Sequence, residues 1–165
     1  MTIARFFKHA VSSHVARRMF PPAALDAIQK AIAAGEARHQ GQVCFAIEGV
    51  LPLGDVLRKR SARQRAHEVF AHLRVWDTQH NSGVLIYVLV ADRAIEILAD
   101  RGIAARVPES DWVSICTRLR ERFLAGDFLA GAIDGVTAVS DILAQHFPTD
   151  GTHVANELPD RPILL

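Results

Sequence analysis

Apolar positions recur along the chain with two alternating periods, and these lay out its elements. Ile3, Phe6, Phe7, Ala10, Val11 and Val15 fall at helical spacing, with Arg5, Lys8, Arg17 and Arg18 among them and no acidic residue before Asp26. Residues 1–20 therefore read as a basic amphipathic helix. Pro21-Pro22 suits a first helical turn, and Leu25, Ile28, Ala31 and Ile32 give the next helix, over 22–38, one apolar face. Gln42–Glu48, bounded by Gly41 and Gly49, is short, β-branched and aromatic, and reads as a strand. Val50–Lys59, with Pro52 and Gly54, reads as a loop. Ser61 and Gln64 form a capping box that opens a helix facing Ala66, Val69, Phe70 and Leu73 inward.

Gly83–Ala91 (GVLIYVLVA) is apolar throughout, which marks a central strand covered on both faces. Asp92-Arg93 separates it from a second strand, Ala94–Ala99, so the two form a hairpin. Trp112, Ile115, Cys116, Leu119 and Phe123 define a helix starting at Ser110 or Asp111 and stopping at Gly126. Asp127 caps a last helix, with Phe128, Ile133, Val136, Val139, Ile142 and Leu143 on one face, that runs to Phe147-Pro148. Gly131 and Gly135, one turn apart, let another element approach closely. From Thr149 the periodicity ends. The strand–helix–strand unit from Gln42 to Ala91 predicts a parallel, right-handed crossover, and the hairpin adds an antiparallel strand. The expectation is an α/β fold, a three-layer α/β/α sandwich with a small mixed sheet. Its divisions are an N-terminal helix (1–20), one domain (21–148) and an extended arm (149–165).

Composition narrows the function without naming it. A chain of 165 residues, 50% of them hydrophobic, supports one core and excludes wholesale disorder. Lys+Arg 19 against Asp+Glu 18 leaves no basic surplus for a general nucleic-acid binder. Cys44 and Cys116 are too few for a disulfide scaffold. No unbroken apolar run approaches the ~20 residues of a membrane span, and Lys8, His9 and His14 interrupt any secretory core near the start. A cytoplasmic protein is expected, peripheral to a membrane if residues 1–20 bind one.

Two near-motifs fail on geometry. His67 and His72 are five residues apart, which sets them about 140° apart around a helix, unlike an i, i+4 metal pair. Cys116 and Arg122 match a thiol-phosphatase spacing, but Cys116 lies on an apolar helical stripe and not in a phosphate-cradling turn. There is no Walker A loop, dinucleotide fingerprint or nucleophile elbow.

Strand geometry is more informative. If the central strand runs up and Ala94–Ala99 returns, Asp100 lands beside the start of the central strand, next to the loop Trp76–Asn81. Asp77, Asn81 and Asp100 are therefore expected to meet at one sheet edge, near Arg101, Glu109 and Asp111. An oxygen-only set of this kind suits Ca²⁺ or Mg²⁺. The opposite edge is expected to gather Glu48 with Asp92 and Arg93.

At these residues the chain resembles the TPM-domain family, over roughly residues 25–147. The likeness lies in Asn81-Ser82-Gly83-Val84-Leu85-Ile86 leading into the apolar strand, the Asp92-Arg93 turn, Asp100-Arg101-Gly102-Ile103 and Gly126–Ile133 (GDFLAGAI). The flanks, Val75–Thr78 and Asn156–Asp160, are similar to a short bacterial branch lacking the export signal. The resemblance implies an α/β/α sandwich with an acidic groove that binds divalent metal in some members and carries acid phosphatase activity in some. It places that groove at the Asp77–Asn81 and Asp100–Glu109 loops. Where many members have a glycine–x–glycine–x–glutamate stretch, this chain reads Arg101-Gly102-Ile103-Ala104-Ala105.

The leading expectation is thus a TPM-like domain that holds a divalent cation at Asp77, Asn81 and Asp100 and binds a protein partner. The alternatives are a metal-dependent phosphomonoester hydrolase with Arg101 positioning phosphate, and a membrane-peripheral scaffold using residues 1–20.

Overall fold

A computed structural model describes residues 15–151 and 155–165. Most of the expected N-terminal helix lies outside these residues; its described part is α1, Val15–Met19. There follow α2 (Pro22–Glu36), β1 (Gln42–Glu48), α3 (Leu53–Leu57) and α4 (Ala62–His72). Next come β2 (Gly83–Leu89), β3 (Ala94–Ala99) and the single turn α5 (Arg101–Ala104). The chain ends with α6 (Glu109–Leu124), α7 (Phe128–His146) and β4 (Ile163–Leu164).

The four strands form one sheet in the order β3-β2-β1-β4. β1 and β2 run parallel over their full length, from Gln42 opposite Gly83 to Glu48 opposite Leu89, with α3 and α4 as the crossover. β3 returns antiparallel, placing Ala99 opposite Val84. Every residue of β1 and β2 is buried, so these are the two-sided central strands that their unbroken apolar runs predict.

Period-two alternation sorts their side chains between two cores. Val43, Phe45, Ile47, Val84, Ile86 and Val88 face a layer built from α2, α6 and α7. Cys44, Ala46, Leu85, Tyr87 and Leu89 face α3 and α4, where Val56, Ala66 and Val69 meet them. The result is the α/β/α sandwich.

The α6–α7 seam depends on small residues. A methyl group at Gly135 would stand 2.6 Å from a Leu119 methyl carbon, and one at Gly131 would stand 2.9 Å from the Arg122 Cβ. Among the described residues, α7 is long and apolar enough by length and composition to cross a bilayer, at mean hydropathy 1.2. It shows no unbroken apolar run because Asp134 and Asp141 interrupt it. Here Ala132, Val136, Val139 and Leu143 are buried in the core.

Several boundaries differ from expectation for local reasons. The segment expected as a loop at 50–59 contains α3, started by Pro52, whose fixed φ suits an N-terminal helix position. α2 ends at Glu36, not residue 38, and β2 ends at Leu89, leaving a four-residue hairpin turn. α6 starts at Glu109 after Pro108, and Asp127 makes no side-chain cap to α7. The C-terminal segment returns to the sheet, where β4 pairs parallel with Ala46 and Ile47.

Candidate functional site

The start of β2 is shaped by the turn that precedes it. Thr78 Oγ1 accepts from the Ser82 amide (2.9 Å), and the Thr78 carbonyl accepts from the Asn81 amide (3.1 Å). Closing this turn puts Asn81 in the left-handed region at φ 50, which asparagine tolerates better than most residues. Its side chain then points across to the end of β3. There Asn81 Oδ1 accepts from Arg101 Nε (3.0 Å), and its carbonyl accepts from the Gly102 amide (3.1 Å). Gly102 is needed for this approach, since a Cβ there would stand 2.6 Å from the Asn81 carbonyl oxygen and 2.9 Å from that of His80.

Asp100 anchors the other side. Its amide donates to the Gly83 carbonyl (2.8 Å), and its Oδ1 caps α5 by accepting from the Arg101 amide (2.7 Å). The residue is 8% exposed, and Oδ2 is buried with no hydrogen-bond partner among the described residues. A buried carboxylate oxygen left in this way costs about 1–3 kcal/mol or more until something satisfies it.

The structure thus brings Asn81, Asp100 and Arg101 into one set of direct contacts. Asp77 is half-exposed and lies 3.8 Å from Arg74. Glu109 pairs with Arg63 at 2.7 Å, and Asp111 Oδ1 accepts from Ser110 Oγ at 3.4 Å. Among the described residues, no group of three or more His, Cys, Asp and Glu side chains is arranged to hold a metal. One carboxylate missing from the sequence reading joins this edge: Glu157, from the C-terminal segment, accepts from the Gln79 amide at 3.0 Å. Gln42 Oε1 fixes that segment by accepting from the Glu157 and Leu158 amides. Nothing periodic marks the segment, so its path was not legible.

At the opposite end of the parallel strands, Glu48 does not group with Asp92 and Arg93. It accepts from Arg65 through two nitrogens (2.9 and 2.8 Å) and from the Tyr87 hydroxyl (2.6 Å). Arg65 continues to Glu68, and Arg60 links Glu68 to Asp55. Glu48 lies on the face of β1 that carries Cys44 and Ala46, so α4 supplies the cation that a buried carboxylate requires. Burial and the bond to Glu48 push the Tyr87 phenol well above its usual range. The bond to Glu48 holds Arg65 protonated more firmly still. Side-chain parity was the available signal, because Glu48 and Tyr87 both continue the α4-facing series.

Burial raises both thiols, Cys44 to about 12 and Cys116 to about 11, so neither is a ready nucleophile.

The TPM-domain family model matches residues 15–142. The chain belongs to the TPM-domain family. The TPM assignment agrees with a solved structure described as the NMR structure of BA42 protein from the psychrophilic bacterium Bizionia argentinensis. That structure is 28% identical, at a TM-score of 0.75, over 87% of this chain and 93% of that one. No curated protein matches this TPM chain.

Proposed function

We propose that this TPM domain is a binding module that takes a hard divalent cation, Ca²⁺ or Mg²⁺, at the Asn81–Asp100 edge and presents that edge to a protein partner. The observation that carries the reading is the buried, unpartnered Asp100 Oδ2. A cation would satisfy it, and the other oxygens at this edge are of the kind such ions prefer: the Asn81 side chain and the carbonyls of His80 and Asn81. Asp77 and Glu157 add negative charge to the same loops. Arg101, now on Asn81 Oδ1, would have to release that oxygen for the ion. Trp76, 48% exposed and next to Asp77, offers a partner an apolar contact beside the ion.

Thermal melts of chelator-treated protein test this reading. Ca²⁺ or Mg²⁺ should raise the melting temperature of the wild type, because a ligand selective for the native state stabilises it. Asp100→Asn keeps a side-chain oxygen to cap α5 and should lose the response. Turnover of a generic phosphate ester that requires Arg101 would instead favour the hydrolase.

A further inference from the structure

The end of β2 far from Asp100 borders a second concavity. A cavity of about 390 Å³ lies between α1, the C-terminal end of α6 and the β2–β3 turn, a volume within the range of small-molecule sites. Its wall is mostly apolar, with Met19, Val88, Ile95, Phe123 and Phe128 among the lining residues. The Phe123 and Phe128 rings are set edge to face, with centroids 5.4 Å apart, so this part of the wall is already packed.

Two arginines, Arg93 and Arg120, are also among the lining residues. Both residues are exposed, and neither forms a salt bridge with a described carboxylate. Arg93 holds its place in the hairpin turn at φ 51, in the left-handed region that a long side chain seldom adopts. Arginines with no carboxylate partner among the described residues, beside an apolar hollow, are complementary to an anionic head on an apolar tail. A guanidinium matches a carboxylate through paired N–H···O bonds. A small inorganic anion would leave the aromatic wall unused, and an uncharged chain would leave the arginines unused.

We propose that this cavity binds a single-chain amphiphile of the fatty-acid class, with its tail against Phe123, Phe128 and Ile95 and its carboxylate held by Arg93 and Arg120. The site is separate from the Asn81–Asp100 edge and does not depend on the cation reading.

Laurate, kept below its micellar concentration, is the probe for the full chain, followed by calorimetry and amide chemical-shift mapping. Saturable binding is expected, with shifts centred on Val90, Ile95, Phe123 and Gly126. An Arg93→Ala/Arg120→Ala double variant should keep its melting temperature and bind about tenfold more weakly. Dodecanol, the same tail without charge, should also bind about tenfold more weakly. Inorganic phosphate should leave the cavity amides unmoved. Absence of saturable laurate binding would overturn the proposal. Equal affinity for dodecanol, or full affinity in the double variant, would do the same. So would cavity shifts with phosphate alone. Contacts from Phe6 or Phe7 into the cavity of the ligand-free chain would identify residues 1–14 as the occupant and also overturn it.

Discussion

Tyr87 donates its hydroxyl to Glu48 across 2.6 Å, joining neighbouring parallel strands through side chains that both face α4. Arg65 completes the arrangement by forking onto the same carboxylate. The two contacts differ in weight. Arg65→Met removes the only cation that the described residues place on a carboxylate whose side chain is 5% exposed, and should lower unfolding free energy by about 3–5 kcal/mol. Tyr87→Phe leaves the ion pair standing and should cost about 2 kcal/mol. Urea unfolding of the two variants checks the order. A neutral Arg65→Met would show that the buried pair does not hold α4 to the sheet.

Glu36, half-buried at the end of α2, and His39, buried in the connection to β1, titrate with opposite effect. Burial raises Glu36 to about 7, although its Oε1 accepts from the Val43 amide, and Asp160 adds to the rise. Burial lowers His39 to about 4, against the bond from its ring to the Gly41 carbonyl. Between their ordinary carboxylate value and about 7, the folded state binds more protons at Glu36, so that contribution is lost as pH rises. Between about 4 and the ordinary imidazole value, the unfolded state binds more protons at His39, so that contribution is lost as pH falls. The two slopes oppose each other in the wild type across the shared range. Glu36→Gln should expose the histidine limb, so that stability climbs from pH 4 to 6.5 more steeply than in the wild type. Melting temperatures across that range measure it, and parallel profiles for the two proteins would contradict it.

The C-terminal segment is held by a buried side chain as well as by β4. Gln42 is buried, and its Oε1 receives the amides of both Glu157 and Leu158. Gln42→Ala should speed hydrogen exchange at Leu158 and Leu165 by about fivefold or more while leaving β2 protected. Unchanged exchange at Leu165 would mean that pairing of Ile163 and Leu164 with β1 holds the segment unaided.

What was legible in the sequence follows from the range of the physics involved. β1 and β3 matched their expected bounds residue for residue, because a short apolar run between glycines, or beside a turn, is a local signal. The Ser61–Gln64 capping box formed for the same reason, two residues settling their own backbone partners. α3 was missed because Pro52 and Gly54 suggest a loop, whereas the buried Val56, with Asp55 buried beside it, anchors the turn. The site was half legible. Strand direction alone placed Asp100 beside Asn81, but orientation of Asp77 toward Arg74 and Glu109 toward Arg63 depends on side chains that the backbone topology does not fix. The partners of Glu48 and Glu157 come from elements far along the chain. Parity could have suggested the first pairing, and nothing local could have suggested the second.

The most direct measurement is a calorimetric titration of chelator-treated full chain with Ca²⁺ and with Mg²⁺, on wild type, Asp100→Asn and Arg101→Ala. Removing the Arg101 guanidinium takes a positive charge from the ion's position and frees Asn81 Oδ1. Saturable binding is expected in the wild type, with a loss of about tenfold or more in affinity in Asp100→Asn and tighter binding in Arg101→Ala. No heat from either ion in any of the three proteins, or equal affinity in wild type and Asp100→Asn, would contradict the placing of a cation at this edge.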